Sequence, residues 1–202
     1  MKARVMISML SFFPVLASAQ TSPPVSAARQ IAAAVSALPE NLQAGAKVYG
    51  YSASGKFITL KPGTNDMVCV ADDPAGKLFH VASYHQSLEP FMARGRQRHA
   101  LKKKPESIDS ARLADLKARR YSMPSKPAAL YQYFAPRDSV DMASGTVRAA
   151  EYLYVIYMPY ATYGTTGISE NPLDGGPWVM DAGKPWAHVM VQPQKPATVK
   201  LK

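Results

Sequence analysis

The first nineteen residues constrain this chain most, because they predict where the rest of it folds. Lys2 and Arg4 give a positive start, Val5 to Leu16 is mostly apolar, and Ala17-Ser18-Ala19 follows. This order of charge, apolar run and small-x-small site is typical of a secretory signal peptide, 1–19, cleaved near Ala19. We therefore expect a protein that folds after export and is periplasmic or secreted.

No segment of the mature chain is predicted to cross a membrane. A spanning helix needs roughly 20 apolar residues, and the run in the signal peptide is shorter than that. Tyr152 to Met158 is apolar but short, and Pro159 follows it. This segment is therefore expected to be a buried strand.

The chain has one cysteine, Cys69, so no intrachain disulfide can form and the core must stabilise the fold. Residues 20–191 suit a single globular domain, since domains commonly run about 100–200 residues. Residues 192–202 contain two prolines and several Lys and Gln, and we expect a disordered tail there.

Hydrophobic patterns predict an α+β fold, with a mainly antiparallel sheet built from hairpins and about three helices packed on it. Two hairpins are expected, 47–51 with 56–61 and 67–71 with 77–84, the second closed by a type I turn at Asp73-Pro74-Ala75-Gly76. The strand at 147–158 reads as central. Further strands are expected at 128–134, 178–180 and 187–191, and helices at about 26–38, 87–103 and 108–120.

Basic residues are concentrated in one segment. Arg94 to Arg120 holds ten Lys or Arg and three Asp or Glu, whereas the whole chain has a net charge of +10. Contact with an anionic envelope polymer or with lipid headgroups would use such a segment. Nucleic acid is disfavoured because interleaved aromatic residues are missing. The alternative is a solvated charged surface. The candidate binding residues are Arg94, Arg96, Arg98, Lys102, Lys103 and Lys104.

Two loops near the C-terminus, 160–167 and 174–186, combine aromatic residues, hydroxyls and glycines. Such loops often form binding pockets on a rigid scaffold, which makes Trp178 and Trp186 candidate binding residues. Tryptophan is as often a core residue, so both interpretations stay open.

Two sets of residues could carry chemistry. Counting back from the Asp73 turn pairs Cys69 with His80, and a neighbouring histidine can activate a thiol. The alternative is a buried cysteine beside a structural histidine. His85, Glu89 and His188 could bind zinc, although HExxH, HxH and CxxC spacings are absent. Otherwise His85 and Glu89 are ordinary loop and helix-start residues, and no cofactor is predicted.

Several short segments carry a resemblance. They are Gly63-Thr64-Asn65, the Cys69-to-Pro74 stretch, 92–96 (MARGR), 158–162 (MPYAT) and 187–190 (AHVM). Together they resemble a family of uncharacterised exported bacterial proteins that has no known activity, so nothing catalytic is implied. The resemblance implies a second cysteine in relatives at the position of Ser83, which would make Cys69 the orphaned half of a lost disulfide.

The sequence thus favours an exported binding or envelope-associated protein with a basic surface at 94–120. One alternative is a small exported hydrolase or metal-dependent enzyme that uses His85, Glu89, His188 or Cys69. Another is a structural or assembly protein. An enzyme is the less favoured class, because no GxSxG elbow, SxxK pair, phosphate-binding loop or dinucleotide fingerprint is present.

Overall fold

A computed structural model describes residues 25–101, 105–172, 175–193 and 197–202. It confirms an α+β fold with a ten-stranded, mostly antiparallel sheet. The strands are β1 (Lys47–Tyr51), β2 (Phe57–Lys61), β3 (Met67–Val70), β4 (Phe79–His85), β5 (Ala128–Ala135), β6 (Val140–Asp141), β7 (Thr146–Tyr157), β8 (Pro177–Met180), β9 (His188–Val191) and β10 (Ala197–Lys200). The helices are α1 (Ala27–Val35), α2 (Glu40–Gln43), α3 (Glu89–Ala100), α4 (Pro105–Lys117) and α5 (Tyr163–Thr166).

The three expected helices correspond to α1, α3 and α4, and the two additional helices, α2 and α5, are single turns of four residues. Ser26 caps α1 as its position predicts, since its hydroxyl accepts a hydrogen bond from the Arg29 amide. The start of α3 differs from expectation. A 3-10 turn at Gln86–Leu88 precedes it, and the His85 side chain caps that turn by accepting a hydrogen bond from the Ser87 amide. Helix α3 itself has Leu88 at its N-cap and no side-chain capping hydrogen bond.

The sheet order is β2-β1-β3-β4-β5-β7-β9-β8, and β1 with β3 is a parallel pair that hairpins alone do not predict. Strand β2 pairs with one edge of β1, so β3, which follows β2 in the chain, pairs with the other edge. Thr64 and Asn65 donate backbone hydrogen bonds to the Gly45 carbonyl, at 2.7 and 3.0 Å. These bonds hold the connecting loop beside the start of β1, so β3 runs alongside it in the same direction.

Both faces of the sheet are covered. On one face α1 packs Ala34 and Leu38 against Val48 and Cys69, and it also closes a second cluster around Val81. On the opposite face, Leu88 and the first turns of α3 cover Tyr84, Leu130 and Val155. The basic segment therefore sits on the face opposite α1.

Strand β7 is central, as its composition predicts, and it pairs with β5, β9, β6 and β10. The C-terminal residues differ from the expected disordered tail. Ala197–Lys200 pairs with the first half of β7, and Val199 and Leu201 are buried in the core beneath α1. Burial of these two apolar side chains orders residues 197–202 despite the lysines among them.

Candidate functional site

Helices α3 and α4 carry the basic segment and meet around one carboxylate. Asp115 on α4 is only 2% exposed and accepts hydrogen bonds from three arginines. These are Arg94, whose Nε donates to Oδ2, Arg98 at 3.3 Å and Arg120 at 2.8 Å. Arg94 and Arg98 are four apart and so share one face of α3. We call these four residues the Asp115 cluster.

The Asp115 cluster has a surplus of positive charge, because three guanidiniums share a single carboxylate. The hydrogen bond from Arg94 holds the pKa of Asp115 below its ordinary range, so the carboxylate is ionised at neutral pH. The side chain of Arg120 is 69% exposed and that of Arg94 32% exposed, so both reach solvent while bonded. An external anion could therefore contact these two guanidiniums without breaking the cluster.

Arg96 has a different role from the other arginines of α3. It donates to the Tyr84 hydroxyl and to Glu89, and its guanidinium lies over the rings of Tyr49 and Phe57. These contacts attach α3 to the sheet. The structure therefore separates Arg96 from Arg94 and Arg98, as the helical period requires.

Arg112 on α4 also faces inward. Its guanidinium lies 4.5 Å from the centre of the Phe91 ring, and a side chain at Gly95 would come within 2.8 Å of its Nη2. Glycine at position 95 therefore lets α4 approach α3 closely. Asp109 compensates part of the charge of Arg112, at 3.7 Å.

The outer rim of the helix pair is basic and partly apolar. Lys117 and Arg119 are exposed, and within the described ranges neither forms an ion pair. Leu101, directly after α3, is 66% exposed, and Leu113 on α4 is 37% exposed. Three further candidates, Lys102, Lys103 and Lys104, follow Leu101 in the sequence but lie outside the described residues.

The predicted pairing of Cys69 with His80 is wrong. Strand β3 pairs with β4 so that Ser83 lies opposite Cys69, a shift of three residues from the expected register. An odd shift moves a residue to the other face of the sheet, so His80 and Cys69 point in opposite directions. The expected Asp73–Gly76 turn does form, with a 2.9 Å backbone hydrogen bond. The ladder does not continue from it, because Arg137 takes the carbonyls of Asp73, Gly76 and Leu78.

Neither residue of that pair is poised for catalysis. Cys69 is fully buried, and burial raises the pKa of its thiol to about 11. His80 stacks on Phe134 with ring centres 4.2 Å apart, and its Nε2 lies 2.9 Å from Gln132 Oε1. Burial lowers the pKa of His80, so it is a neutral packing residue.

The three proposed metal ligands are not brought together. His85 on β4 and His188 on β9 lie three strands apart, roughly 14 Å at about 4.8 Å per strand. Glu89 binds Tyr84 and Arg96, and His188 Nδ1 bonds to the Trp186 carbonyl. No group of three or more His, Cys, Asp or Glu side chains with metal-site geometry occurs in the described part of the chain.

Both tryptophans are core residues. Trp178 is 8% exposed on β8, and Trp186 is 4% exposed and stacks on Phe91. The exposed aromatic residues of the C-terminal loops are instead Tyr160 and Tyr163. The two tryptophan rings therefore offer no face to a ligand.

A cavity of about 370 Å³, which the sequence analysis did not single out, lies between α1, the β1–β2 turn and the loop after β5. Its lining comes from several separate elements and includes Tyr51, Asp72, Phe79 and Arg137. No local sequence motif marks such a site. The one feature of the sequence that points toward this cavity is the pair of adjacent aspartates at 72–73, of which Asp72 lines it.

Within the described residues no helix is both long and apolar enough to cross a membrane. A scan against protein-family models finds no match to the chain, and searches of curated proteins and of solved structures find none either. The function proposed below therefore rests on the geometry of this chain.

Proposed function

We propose that this protein is exported and attaches to an anionic surface of the cell envelope through helices α3 and α4. The Asp115 cluster carries this proposal, because its three arginines share one carboxylate and two of them reach solvent. Lys117 and Arg119, at the end of α4 and just after it, add two more exposed basic side chains. Phosphate-bearing headgroups are the partner that complements this charge, since each basic residue near an anionic membrane contributes about 1 kcal/mol.

Leu101 favours a lipid surface over a soluble polyanion. It is the most exposed large apolar side chain among the described residues, and it lies directly after α3. Peripheral proteins combine basic residues with an apolar side chain that enters the headgroup region. A soluble polyanion would need the charges but would gain little from the leucine.

Vesicle flotation tests this proposal. The mature protein is mixed with phosphatidylglycerol vesicles or phosphatidylcholine vesicles at low and high salt. We expect binding to phosphatidylglycerol alone and its loss at high salt, because exposed charges are screened. Substituting Lys117, Arg119 and Arg120 by glutamine should weaken binding roughly 100-fold, at about 1 kcal/mol per charge.

A matched variant removes the same charge elsewhere. Lys56, Lys77 and Arg148 are exposed and outside the helix pair, so their replacement by glutamine should leave most of the binding intact. Leu101→Ser should weaken binding to vesicles without changing its salt dependence. Equal binding to both lipids, or equal losses in the two triple variants, would contradict the proposal.

The enzyme alternative has less support. The residues that suggested it are dispersed, since Cys69 and His80 lie on opposite sheet faces and His85 is remote from His188. His80, His85 and His188 each have a hydrogen-bond partner within the fold, and Cys69 is buried. A binding function explains the exposed basic side chains of α3 and α4. A hydrolytic function would not explain them.

A further inference from the structure

The cavity beside α1 has the character of a small-molecule site. Its volume of about 370 Å³ lies within the range of roughly 300–1,000 Å³ that ligand pockets occupy. Apolar side chains form much of the wall, including Ala33, Phe79, Val140 and Met142. Such pockets orient a ligand through a few fixed polar groups, and the polar side chains that line this cavity include Gln30, Tyr51, Asp72 and Arg137.

Gln30 is a fixed part of the wall, not a ligand contact. Its Nε2 donates to the carbonyls of Val25 and Tyr51, at 3.0 and 2.9 Å, and its Oε1 accepts from the Tyr51 amide at 2.8 Å. These bonds join α1 to the end of β1. The cavity is therefore formed by the fold itself and does not depend on a ligand.

Arg137 contributes no uncompensated positive charge. Its Nη1 and Nη2 bind both oxygens of Asp72, at 2.7 and 3.1 Å, so a carboxylate already compensates its charge. Its Nε donates to the Gly76 carbonyl at 2.9 Å, and its Nη2 also donates to backbone carbonyls. A ligand carboxylate would have to compete with Asp72 for this guanidinium. Anionic ligands are therefore disfavoured.

Acceptor capacity remains at Asp72. A carboxylate offers about four acceptor positions, and Asp72 uses three of them, for the His80 amide and the two Arg137 nitrogens. The neighbouring phenol is neutral, because burial, together with Asp73 and Asp72, raises the pKa of Tyr51 to about 12. The polar end of the cavity thus favours a ligand that donates a hydrogen bond.

We propose that this cavity binds a small uncharged amphipathic molecule, whose apolar part lies against Ala33, Phe79 and Met142 and whose hydroxyl or N–H donates to Asp72. This is a second, independent function from surface attachment, since the cavity is on the α1 side of the sheet. The class includes short-chain alcohols and other apolar molecules with one polar head.

Titration calorimetry with 1-octanol and with octanoate at pH 7 tests the proposal, and amide chemical shifts locate the binding. We expect saturable binding of 1-octanol with shifts at Tyr51 and Phe79, and at least tenfold weaker binding of octanoate. The two probes have the same chain length and differ in the head alone. No saturable binding of 1-octanol, or equal binding of octanoate, would overturn the proposal.

Two variants in the same turn distinguish binding of 1-octanol inside the cavity from non-specific hydrophobic binding elsewhere on the protein. Ala53 is exposed and lines the cavity mouth, whereas Ser54 is exposed in the same turn and is not among the lining residues. Ala53→Trp should weaken 1-octanol binding at least tenfold, and Ser54→Trp should leave it within twofold. Equal affinities in the two variants would place the binding elsewhere and refute the proposal. Vesicle flotation should be unaffected by either change.

Discussion

At the scale of single residues, Asp115 connects α3 to α4, because three arginines donate to its buried carboxylate. Asp115→Asn should lower the free energy of unfolding at pH 7 by about 2 kcal/mol, since charge-assisted hydrogen bonds are lost but the arginines can turn to solvent. Urea denaturation measures this difference. Asp138→Asn is a suitable control, because Asp138 is outside the helix pair.

The effect of Asp115→Asn should depend on pH. Because the pKa of Asp115 is lowered in the folded protein, its contribution is present above the unfolded value of about 3.9 and is lost as the pH falls through the folded value. The difference between wild type and variant should therefore be complete above about pH 5 and should shrink at about pH 3. An equal difference at both pH values would contradict this account of Asp115.

Sequence periodicity could predict part of this arrangement. Arg94 and Arg98 are four apart and Arg96 lies between them, so a helix must place Arg96 on a different side. Asp115 could not be identified as their partner, because that contact depends on how α4 packs across α3. The sequence therefore predicts the positive charge of this segment. It does not predict which of the basic side chains bond to Asp115 and which are exposed to solvent.

At the scale of elements, the turn between β3 and β4 was predicted correctly from the sequence, but the register of the two strands was not. The Asp73 turn has the expected composition and forms, but Asp72 and Arg137 hold the surrounding loop out of the ladder. Residue preferences within a short segment predict a turn. They do not predict the contact with Arg137, because Arg137 is about 60 residues further along the chain. The contacts of Arg137 with this loop thus accompany a register in which Ser83, not His80, lies opposite Cys69.

Engineered cysteines test this register. Opposed residues of antiparallel strands have Cα atoms roughly 4.5–5.5 Å apart, within the range that a disulfide spans. Ser83→Cys should therefore form a disulfide with Cys69 on oxidation and raise the free energy of unfolding by about 2 kcal/mol. This value is about 3 kcal/mol for the closed loop less about 1 kcal/mol for the lost Ser83 hydrogen bond to Ala34.

His80→Cys is the matched control, because the turn-based register would put it opposite Cys69. Non-reducing thiol titration should find two free thiols in unfolded His80→Cys and none in oxidised Ser83→Cys. A disulfide in the His80→Cys protein, or two thiols in Ser83→Cys, would show that the strands pair differently.

At the scale of the whole molecule, the α+β class and most strand positions follow from the sequence, since alternation, turns and caps are local signals. The parallel β1–β3 pair, β6 and β10 were not predicted, because their pairing partners are set by tertiary contacts. The cavity was missed for the same reason, as Tyr51, Asp72 and Arg137 come from separate elements. Local signals in the sequence thus predict the fold class and most strands, whereas contacts between residues far apart in the chain depend on the tertiary structure.

Removal of residues 197–202 should destabilise the entire domain. The deletion exposes the first half of β7 and removes Val199 and Leu201 from the core, and each buried aliphatic side chain contributes about 1.5–3 kcal/mol. We expect the free energy of unfolding to fall by at least about 3 kcal/mol. Deleting Lys202 alone removes an exposed ion pair with Glu40 and should leave the denaturation midpoint almost unchanged, since exposed pairs contribute little to stability. Identical denaturation midpoints for the two deletions would contradict this role of β10.

The position of β10 beside β7 also affects when the protein can fold. Chains generally begin to fold from the N-terminus during synthesis, as soon as a complete core is available. Here the cluster that α1 closes includes Val199 and Leu201, so it cannot be completed until both residues have left the ribosome. The core cluster around Val81 is therefore among the last parts of this fold to form during synthesis.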